Sequence, residues 1–128
     1  MLNKPQIEEL CDGEFNDYIL ELIKRDVRNI PEGTCCRRRD IGNAILACNQ
    51  EVGERERVKK ELCNIIPKIT FNNLQEGKLS KLGFQLIKGK THFKLSWKGG
   101  EYRVTFSATP SDHRFQNKIK VDVGHVFF

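Results

Sequence analysis

The residues of this chain that could carry out chemistry gather around His92. Histidine exchanges a proton near neutral pH, so His92 could act as a general acid or base on a phosphodiester. Lys94 lies two residues further on, and Arg103 is expected diagonal to His92 on the next strand-like run, where either cation could stabilise a charged phosphate. Cleavage would also need a second acid or base, for which His113 is the candidate. Without that partner, His92 is expected to bind an anion or to be an ordinary surface residue.

Basic side chains surround His92 along the second half of the chain. A helix start at Ser111-Asp112 adds a candidate phosphate site, because exposed N–H groups at a helix N-terminus attract anions. Asp112 opposes that role, since its carboxylate would cap the same N–H groups. The predicted nucleic-acid-binding residues are Lys88, Lys90, His92, Lys94, Lys98, Arg103, His113, Arg114, Asn117 and Lys118.

The charge of the chain is divided unevenly between its halves. Residues 1–66 hold 11 Lys/Arg and 13 Asp/Glu, whereas residues 67–128 hold 11 Lys/Arg and only 4 Asp/Glu. A basic segment attracts polyanions and steers their approach, which predicts a nucleic-acid partner for the second half. The alternative is that these lysines only keep a small domain soluble.

Two strand-like runs, 92–98 and 101–107, are separated by Gly99-Gly100, a pattern typical of a tight β-hairpin. Pairing Lys98 with Glu101 sets a register in which large apolar residues share one face. That face is predicted to hold Phe93, Leu95, Trp97, Tyr102, Val104 and Phe106. The other face is predicted to be polar and mainly basic, with His92, Lys94, Ser96, Lys98, Glu101, Arg103, Thr105 and Ser107. With the aromatic residues inside, no platform for stacking single-stranded bases is expected.

The first half of the chain has the periodicity of helices. Residues 14–29 predict one amphipathic helix, and residues 37–66 predict a second with a bend or break at Gly53. The Arg37-Arg38-Arg39 run lies at the start of the second helix, where the helix dipole disfavours positive charge. Either acidic residues of the first helix compensate this charge, or the run binds an anion. The predicted buried stripes are Phe15, Tyr18, Ile19, Leu22, Ile23, Val27 and Ile30, then Ile41, Ile45, Cys48 and Val52, then Val58, Leu62, Ile65 and Ile66.

Further helices are predicted on either side of the strands in the second half. A short helix capped by Asn72 is expected to end at Gly83, before a strand over residues 84–88. A final helix is expected to start at the Thr109–Asp112 capping box, to bury Phe115, Ile119 and Val123, and to end at Gly124. The last four residues are then expected to dock as a short apolar tail.

The five cysteines do not form a disulfide or zinc pattern. Cys11, Cys35, Cys36, Cys48 and Cys63 are odd in number and lack a Cys-x-x-Cys spacing, so we interpret them as small buried hydrophobic residues and predict no metal or cofactor. The sequence has neither a spanning apolar run nor a signal-peptide pattern at its start. These features predict a cytoplasmic protein that does not associate with a membrane.

The order helix, three antiparallel strands, helix resembles the double-stranded-RNA-binding domain and the HicA-type toxins of bacterial toxin–antitoxin pairs. The residues that carry the resemblance are Leu82-Gly83-Phe84 and Gly89-Lys90-Thr91-His92. HicA-type toxins have a Gly-Ser-His sequence at the second place, whose histidine serves in RNA cleavage. The RNA-binding domain has a Gly-x-x-His there, which touches the minor groove. The resemblance therefore implies that His92 contacts RNA.

Together these features predict an α+β chain, with a helical region over residues 1–66 and a basic α-β-β-β-α module over 67–128. The expected function is nucleic-acid binding, with RNA favoured, in a protein of toxin–antitoxin or mobile-element type. One alternative is a non-enzymatic protein-interaction adaptor of phage or defence origin that meets its partner through the N-terminal helices. A HicA-like ribonuclease that uses His92 is the third possible function. The sequence favours binding over catalysis.

Overall fold

The computed structural model describes residues 3–33, 35–98, 100–107 and 113–128, and only the backbone of 113–116. The chain is an α+β protein, as predicted, and it folds as two compact units, Met1–Arg55 and Glu56–Phe128. The elements are α1 (Glu14–Arg28), α2 (Arg37–Cys48), α3 (Glu54–Ile65), a 3-10 turn (Ile66–Lys68), α4 (Glu76–Lys81), β1 (Phe84–Lys88), β2 (His92–Trp97), β3 (Arg103–Ser107) and α5 (His113–Phe127). Within the described ranges, no helix is both long enough and apolar enough to cross a bilayer.

The side that α1 buries matches the predicted stripe only in part, because Ile30 is buried and Ile23 and Val27 are half-buried, but three other members are exposed. Asp17 and Leu20 are 6% and 4% exposed. Tyr18, Ile19 and Leu22, which were predicted to be buried, are exposed by 48%, 38% and 42%. Helical periodicity shows which residues share a side, but it does not show which side meets a neighbour. The exposed residues Tyr18, Ile19 and Leu22 are called the α1 stripe below.

The first unit is tied together at Asp17, a buried carboxylate near the start of α1. The backbone N–H groups of Val52 and Gly53 donate to its two oxygens at 2.8 and 2.7 Å, and Asn16 Nδ2 donates at 3.0 Å. These bonds join α1 to the segment that precedes α3. Burial by itself raises the pKa of Asp17, but the hydrogen bonds outweigh burial and hold the pKa below its ordinary value.

Helix α2 packs against α1 at a glycine. A Cβ atom at Gly42 would lie 2.5 Å from Val27 Cγ2 and 3.4 Å from Ile23 Cγ2, so a larger residue there forces a shift. Gly42 is buried, whereas Ile41 is 46% exposed and Cys48 is also exposed. The predicted stripe that contained Ile41 and Cys48 is therefore wrong, because α2 makes its close contact through a residue without a side chain.

The arginines that open α2 have partners within the first unit. Arg38 Nε lies 3.2 Å from Asp26 Oδ2 of α1, and Arg39 donates to the carbonyl oxygen of Pro31. Compensation by an acidic residue of the first helix is thus confirmed for Arg38. Glu21, another acidic residue of α1, pairs with Arg25 of α1 and Arg55 of α3.

The predicted break between α2 and α3 is confirmed at Gly53. Its φ of +91° lies in the left-handed region, which glycine adopts without steric cost. Beyond the break, Val58, Leu62 and Ile65 form the buried stripe of α3, as predicted. Most of α3 belongs to the second unit, whereas the sequence predicted it as part of the helical first half.

The second unit is built on an antiparallel sheet with the strand order β1-β2-β3. Helix α4 packs against β1, and α5 packs against β3. The Phe127 ring of α5 meets the Phe84 ring of β1 edge-on, with centroids 5.0 Å apart. The apolar core of this unit contains Val58, Leu62, Ile65, Ile66, Ile69, Leu79, Phe84, Phe93, Leu95, Val104, Phe106, Ile119, Val123 and Phe127.

Helix α4 is shorter than predicted at its start. Residues Thr70 and Asn73 exchange backbone hydrogen bonds of 2.8 and 3.1 Å, so this segment forms a turn and Asn72 does not cap the helix. The helix begins after Gln75. Gly83 ends it as predicted, because its φ of +84° allows its N–H to reach the carbonyl oxygen of Ser80 at 3.0 Å.

Helix α5 runs past its predicted end. Gly124 lies inside the helix, and residues 125–127 continue it instead of forming a separate tail. Phe127 is 8% exposed and lies one turn beyond Val123, which is fully buried, so packing of this stripe sustains the helix through the glycine. The predicted capping box at Thr109–Asp112 and the side chain of Phe115 fall outside the described residues.

We expect Asp17→Ala to destabilise the first unit by about 2 kcal/mol or more, because two buried N–H groups lose their acceptor. The amides of Val52 and Gly53 should lose protection in hydrogen exchange followed by NMR. The pKa of Asp17 is lowered by folding, so in the wild type this stabilisation should be complete above the ordinary value for Asp and should fade as pH drops through the lowered pKa. Asp12→Ala, at an exposed aspartate in the same region, is the control; equal loss of protection there would contradict the assignment.

Candidate nucleic-acid interface

The register of the β2–β3 hairpin is the one predicted from the sequence. Phe93 pairs with Phe106 and Leu95 pairs with Val104. All four of these side chains are buried, and the rings of Phe93 and Phe106 lie 5.6 Å apart. Strand β2 ends at Trp97 and β3 begins at Arg103, so both strands are shorter at the turn than predicted. Gly99, one of the two predicted turn residues, lies outside the described residues.

The opposite side of β2 and β3 carries an exposed set of cations. His92 lies opposite Ser107, Lys94 opposite Thr105, and Ser96 opposite Arg103. The exposed residues His92, Lys94, Arg103 and Thr105 are called the basic face below. No described carboxylate forms an ion pair with Lys94 or Arg103. Two cations on this face are therefore available to an anion from solution.

Ser96 departs from the prediction for this face, because it is 1% exposed instead of lying open to solvent. It is on the central strand, between Gln85 of β1 and Arg103 of β3, and its side chain is shorter than those on either side. Its hydroxyl has no hydrogen-bond partner among the described residues. The middle of the basic face is thus a buried hydroxyl bordered by longer polar side chains.

The imidazole of His92 forms a hydrogen bond with the side chain of the preceding residue. Thr91 Oγ1 lies 2.8 Å from His92 Nδ1, a hydrogen bond that fixes the orientation of the imidazole ring. The prediction that Arg103 lies diagonal to His92 is wrong, because the register separates the two by four positions, about 13 Å along the strands. The side chain of His113, the predicted second base, falls outside the described residues. The described residues therefore give His92 an orienting partner but no acid or base.

Lys88 does not join the basic face. It lies opposite Phe93, on the side of the sheet that faces the core. Its Nζ is 5.0 Å from the centroid of the Phe71 ring and 3.4 Å from the Phe71 carbonyl oxygen. The rings of Phe71 and Phe93 are 5.1 Å apart, so Lys88 covers the end of this aromatic group. Lys88 therefore shields the edge of the hydrophobic core from solvent.

The other predicted binding residues lie outside the basic face. Lys90 is exposed in the turn before β2, and Lys98 is exposed after β2 with its Nζ 5.0 Å from the Trp97 ring. Asn117 and Lys118 are exposed on α5, the helix whose Phe127 packs on the core side of the sheet. The side chain of Arg114 falls outside the described residues.

Two apolar side chains near the basic face are exposed, although the sequence did not predict their exposure. Tyr102, predicted to be in the core, is 43% exposed because β3 begins only at Arg103. Ile87 is 51% exposed and lies opposite Lys94 on the outward side of β1. The two-residue alternation of β1 could have revealed Ile87, because its neighbours Leu86 and Lys88 face the core side.

The cysteines are not the buried residues that were predicted. Cys35 and Cys48 are exposed, and the other three are half-buried. Burial and the nearby carboxylate of Glu14 raise the pKa of the Cys11 thiol to about 11, so this thiol is protonated at neutral pH. Among the described residues, no group of three or more His, Cys, Asp and Glu is arranged to hold a metal ion.

Comparison with protein-family models, with curated proteins and with solved structures finds no match to this chain. The resemblance to RNA-binding and HicA-type modules therefore stays a prediction, and the properties of the site follow from its own residues.

We expect the protein to leave RNA intact, because the sequence favours binding over catalysis at His92 and cleavage of a phosphodiester needs a second acid or base. Labelled RNA incubated with wild type, His92→Ala and His125→Ala should give the same band pattern on a denaturing gel. His125 is an exposed histidine on α5 and serves as the matched control. Cleavage that persists in His125→Ala and disappears in His92→Ala would contradict this expectation and establish a ribonuclease.

Proposed function

We propose that the second unit binds nucleic acid through the basic face. The observation that carries this proposal is the exposure of Lys94 and Arg103 on one sheet surface without an ion-pair partner among the described residues. The segment 84–107 contains five Lys/Arg and a single acidic residue, Glu101. A surface of this kind gains affinity for polyanions by releasing the counterions that surround phosphates.

The expected mode of binding is contact with phosphates and sugars. The aromatic residues of β2 face the core side, so the basic face itself offers no ring on which bases could stack. Arg103 Nε donates to the carbonyl oxygen of Gly100 at 3.4 Å, which leaves the terminal nitrogens of its guanidinium for a phosphate. His92 and Thr105 add polar groups on the same surface. Such contacts position a nucleic acid without reading its bases.

RNA is proposed over DNA because the order of elements in the second unit resembles modules that bind or cut RNA. In an RNA duplex, the shallow minor groove displays 2′-hydroxyl groups that a polar sheet face can contact. A setting in a toxin–antitoxin or mobile-element system rests on the same resemblance and is part of this proposal.

We expect the double substitution Lys94→Ala/Arg103→Ala to weaken RNA binding at every salt concentration. The slope of the logarithm of the binding constant against the logarithm of salt concentration should become shallower by about 1 to 2, because each removed phosphate contact releases about one fewer counterion. Fluorescence anisotropy with matched RNA and DNA duplexes, from low to moderate salt, measures both quantities.

The charge-matched control for this experiment is Lys60→Ala/Lys78→Ala, at exposed positions of α3 and α4. It removes the same net charge and should change affinity only modestly through the overall field. Lys88→Ala tests the sheet geometry, since Lys88 lies on the core side and should matter less than Lys94. Equal losses in all three variants would mean that diffuse charge, and not the basic face, attracts the nucleic acid.

The α1 stripe favours a second candidate function, a protein-interaction adaptor. Tyr18, Ile19 and Leu22 follow the three- and four-residue spacing by which an amphipathic helix enters a groove of a partner. Exposed apolar residues that are contiguous on one helix face are more often interaction sites than isolated ones are. The partner in this case would be a protein with an apolar groove, and nucleic acid would not be required.

We expect Ile19→Asn/Leu22→Asn to leave folding stability within about 0.5 kcal/mol of wild type, since both side chains are already exposed. Leu20→Asn, which places an amide in the core, should unfold the first unit and serves as the contrast. Cross-linking in cells should then show protein complexes that depend on the α1 stripe and resist nuclease. Complexes that dissolve with nuclease, or that persist in the double variant, would reject the adaptor function.

A further inference from the structure

We propose that the outer edge of β1 binds an extended polypeptide segment of another protein, which adds to the sheet as a fourth strand. The site consists of the open edge of β1 and the groove between β1 and α4, called the β1 groove below. It is separate from the basic face and does not depend on nucleic-acid binding.

The backbone of β1 presents unpaired hydrogen-bonding groups on its outer edge. At the two ends of the β1–β2 ladder, Lys98 N–H donates to Gly83 O at 3.0 Å, and Gly89 N–H donates to His92 O at 2.8 Å. Because hydrogen-bonded positions alternate along an antiparallel strand, the backbones of residues 85 and 87 also point towards β2. Those of Phe84, Leu86 and Lys88 point away from the sheet.

These outward groups have no partner in the described part of the chain. The strand order is β1-β2-β3, so β1 has a neighbour on one side only. No described residue donates to, or accepts from, the backbone of Phe84, Leu86 or Lys88 on the outer side. The donors and acceptors repeat every second residue, a spacing that another extended strand matches and that a helix does not. The chemistry of the edge therefore specifies an extended polypeptide as the occupant.

The β1 groove runs along this edge. It is lined by Glu76, Leu79 and Ser80 of α4 and by residues 84–87 of β1. Phe84 and Leu86 face the core side of the sheet, whereas Gln85 and Ile87 face the other side. Since four consecutive residues of β1 line the groove, and they alternate between the two faces of the sheet, the groove runs along the edge of the strand. An added strand would occupy this position, with α4 as the second wall.

The lining also indicates which side chains the added strand should carry. Leu86 is half-buried and Ile87 is 51% exposed along the β1 wall, and these apolar side chains suit an aliphatic or aromatic residue of the added strand. Glu76 is exposed on the α4 wall and has no cationic partner among the described residues, so a nearby lysine or arginine of the added strand would gain an ion pair. The expected segment is thus extended, with an apolar residue and a basic residue close together in sequence.

The edge lacks several features that keep strands from pairing with other chains. Proteins protect open edges with proline, with bulges or with charges in the middle of the strand. Residues 84–88 contain no proline, the ladder to β2 is regular, and the single charge of β1, Lys88, is at its end. Ile87 is 51% exposed beside this edge. The middle of β1 is consequently open to a further strand.

The proposal can be tested by selecting a random dodecapeptide phage library on the full chain. We expect recovered peptides to contain an apolar residue near a lysine or arginine and to shift the amide resonance of Leu86 in the NMR spectrum. In the best synthetic peptide, methylation of single backbone amides should reduce affinity at every second position, because only alternate N–H groups face β1.

Two pairs of variants separate edge pairing from other modes of binding. Leu86→Pro removes an outward N–H of β1 and should weaken peptide binding roughly tenfold or more. Thr105→Pro places proline at an outward-facing position of the opposite edge and should leave binding unchanged. Ser80→Tyr should block the groove without altering β1, whereas Lys78→Tyr, elsewhere on α4, should not. Glu76→Gln should lower affinity several-fold for peptides that carry a basic residue.

Failure of the library to yield a binder would overturn the proposal, as would a binder that Leu86→Pro and Ser80→Tyr leave unaffected. A methylation series without two-residue alternation would also overturn it. If a short RNA duplex, but no peptide, shifts the Leu86 resonance, then this edge belongs to a nucleic-acid surface instead. The Lys94→Ala/Arg103→Ala variant should keep full peptide affinity, so the two proposals fail independently.

Discussion

The organisation of the second unit depends on the pairing of β2 with β3 in one register. The pairs Phe93–Phe106 and Leu95–Val104 are buried together. A slip of one residue would turn these side chains to solvent and bring Lys94 into the core, at a cost of several kcal/mol for an unpaired buried charge. The pairing of apolar residues therefore excludes other registers, and the exposure of the basic face is a direct consequence of the burial of its neighbours.

The first unit is organised by a polar interaction instead. The Asp17 carboxylate accepts hydrogen bonds from two backbone N–H groups across 35 and 36 residues of sequence. A buried carboxylate is stable only when it is well hydrogen-bonded, so this arrangement specifies how α1 meets the segment before α3. With Asp17 and Leu20 directed inward, Tyr18, Ile19 and Leu22 are left exposed as the α1 stripe. A polar anchor has thus determined which apolar residues remain available to a partner.

The surfaces of the second unit follow from its small sheet. One side of the sheet packs against helices, the other side carries the basic face, and β1 leaves one edge unpaired. The basic face needs no preformed pocket to bind phosphates, because the affinity comes from flexible cationic side chains and from the release of counterions. The edge requires regular backbone geometry, which the ladder to β2 maintains. A strand added at the edge would widen the sheet and leave the basic face open to solvent.

The sequence alone determined the local features whose pattern has a single interpretation. Alternation in β2 and β3 predicted the register and the exposure of His92, Lys94 and Arg103, because two-residue periodicity assigns every side chain to a face. It could not determine which side of α1 would be buried, nor that the cysteines would lie near the surface, since those outcomes depend on neighbours remote in sequence. The open edge of β1 likewise became visible only in the tertiary structure, because an edge is defined by the absence of a second neighbour and not by any residue of the strand.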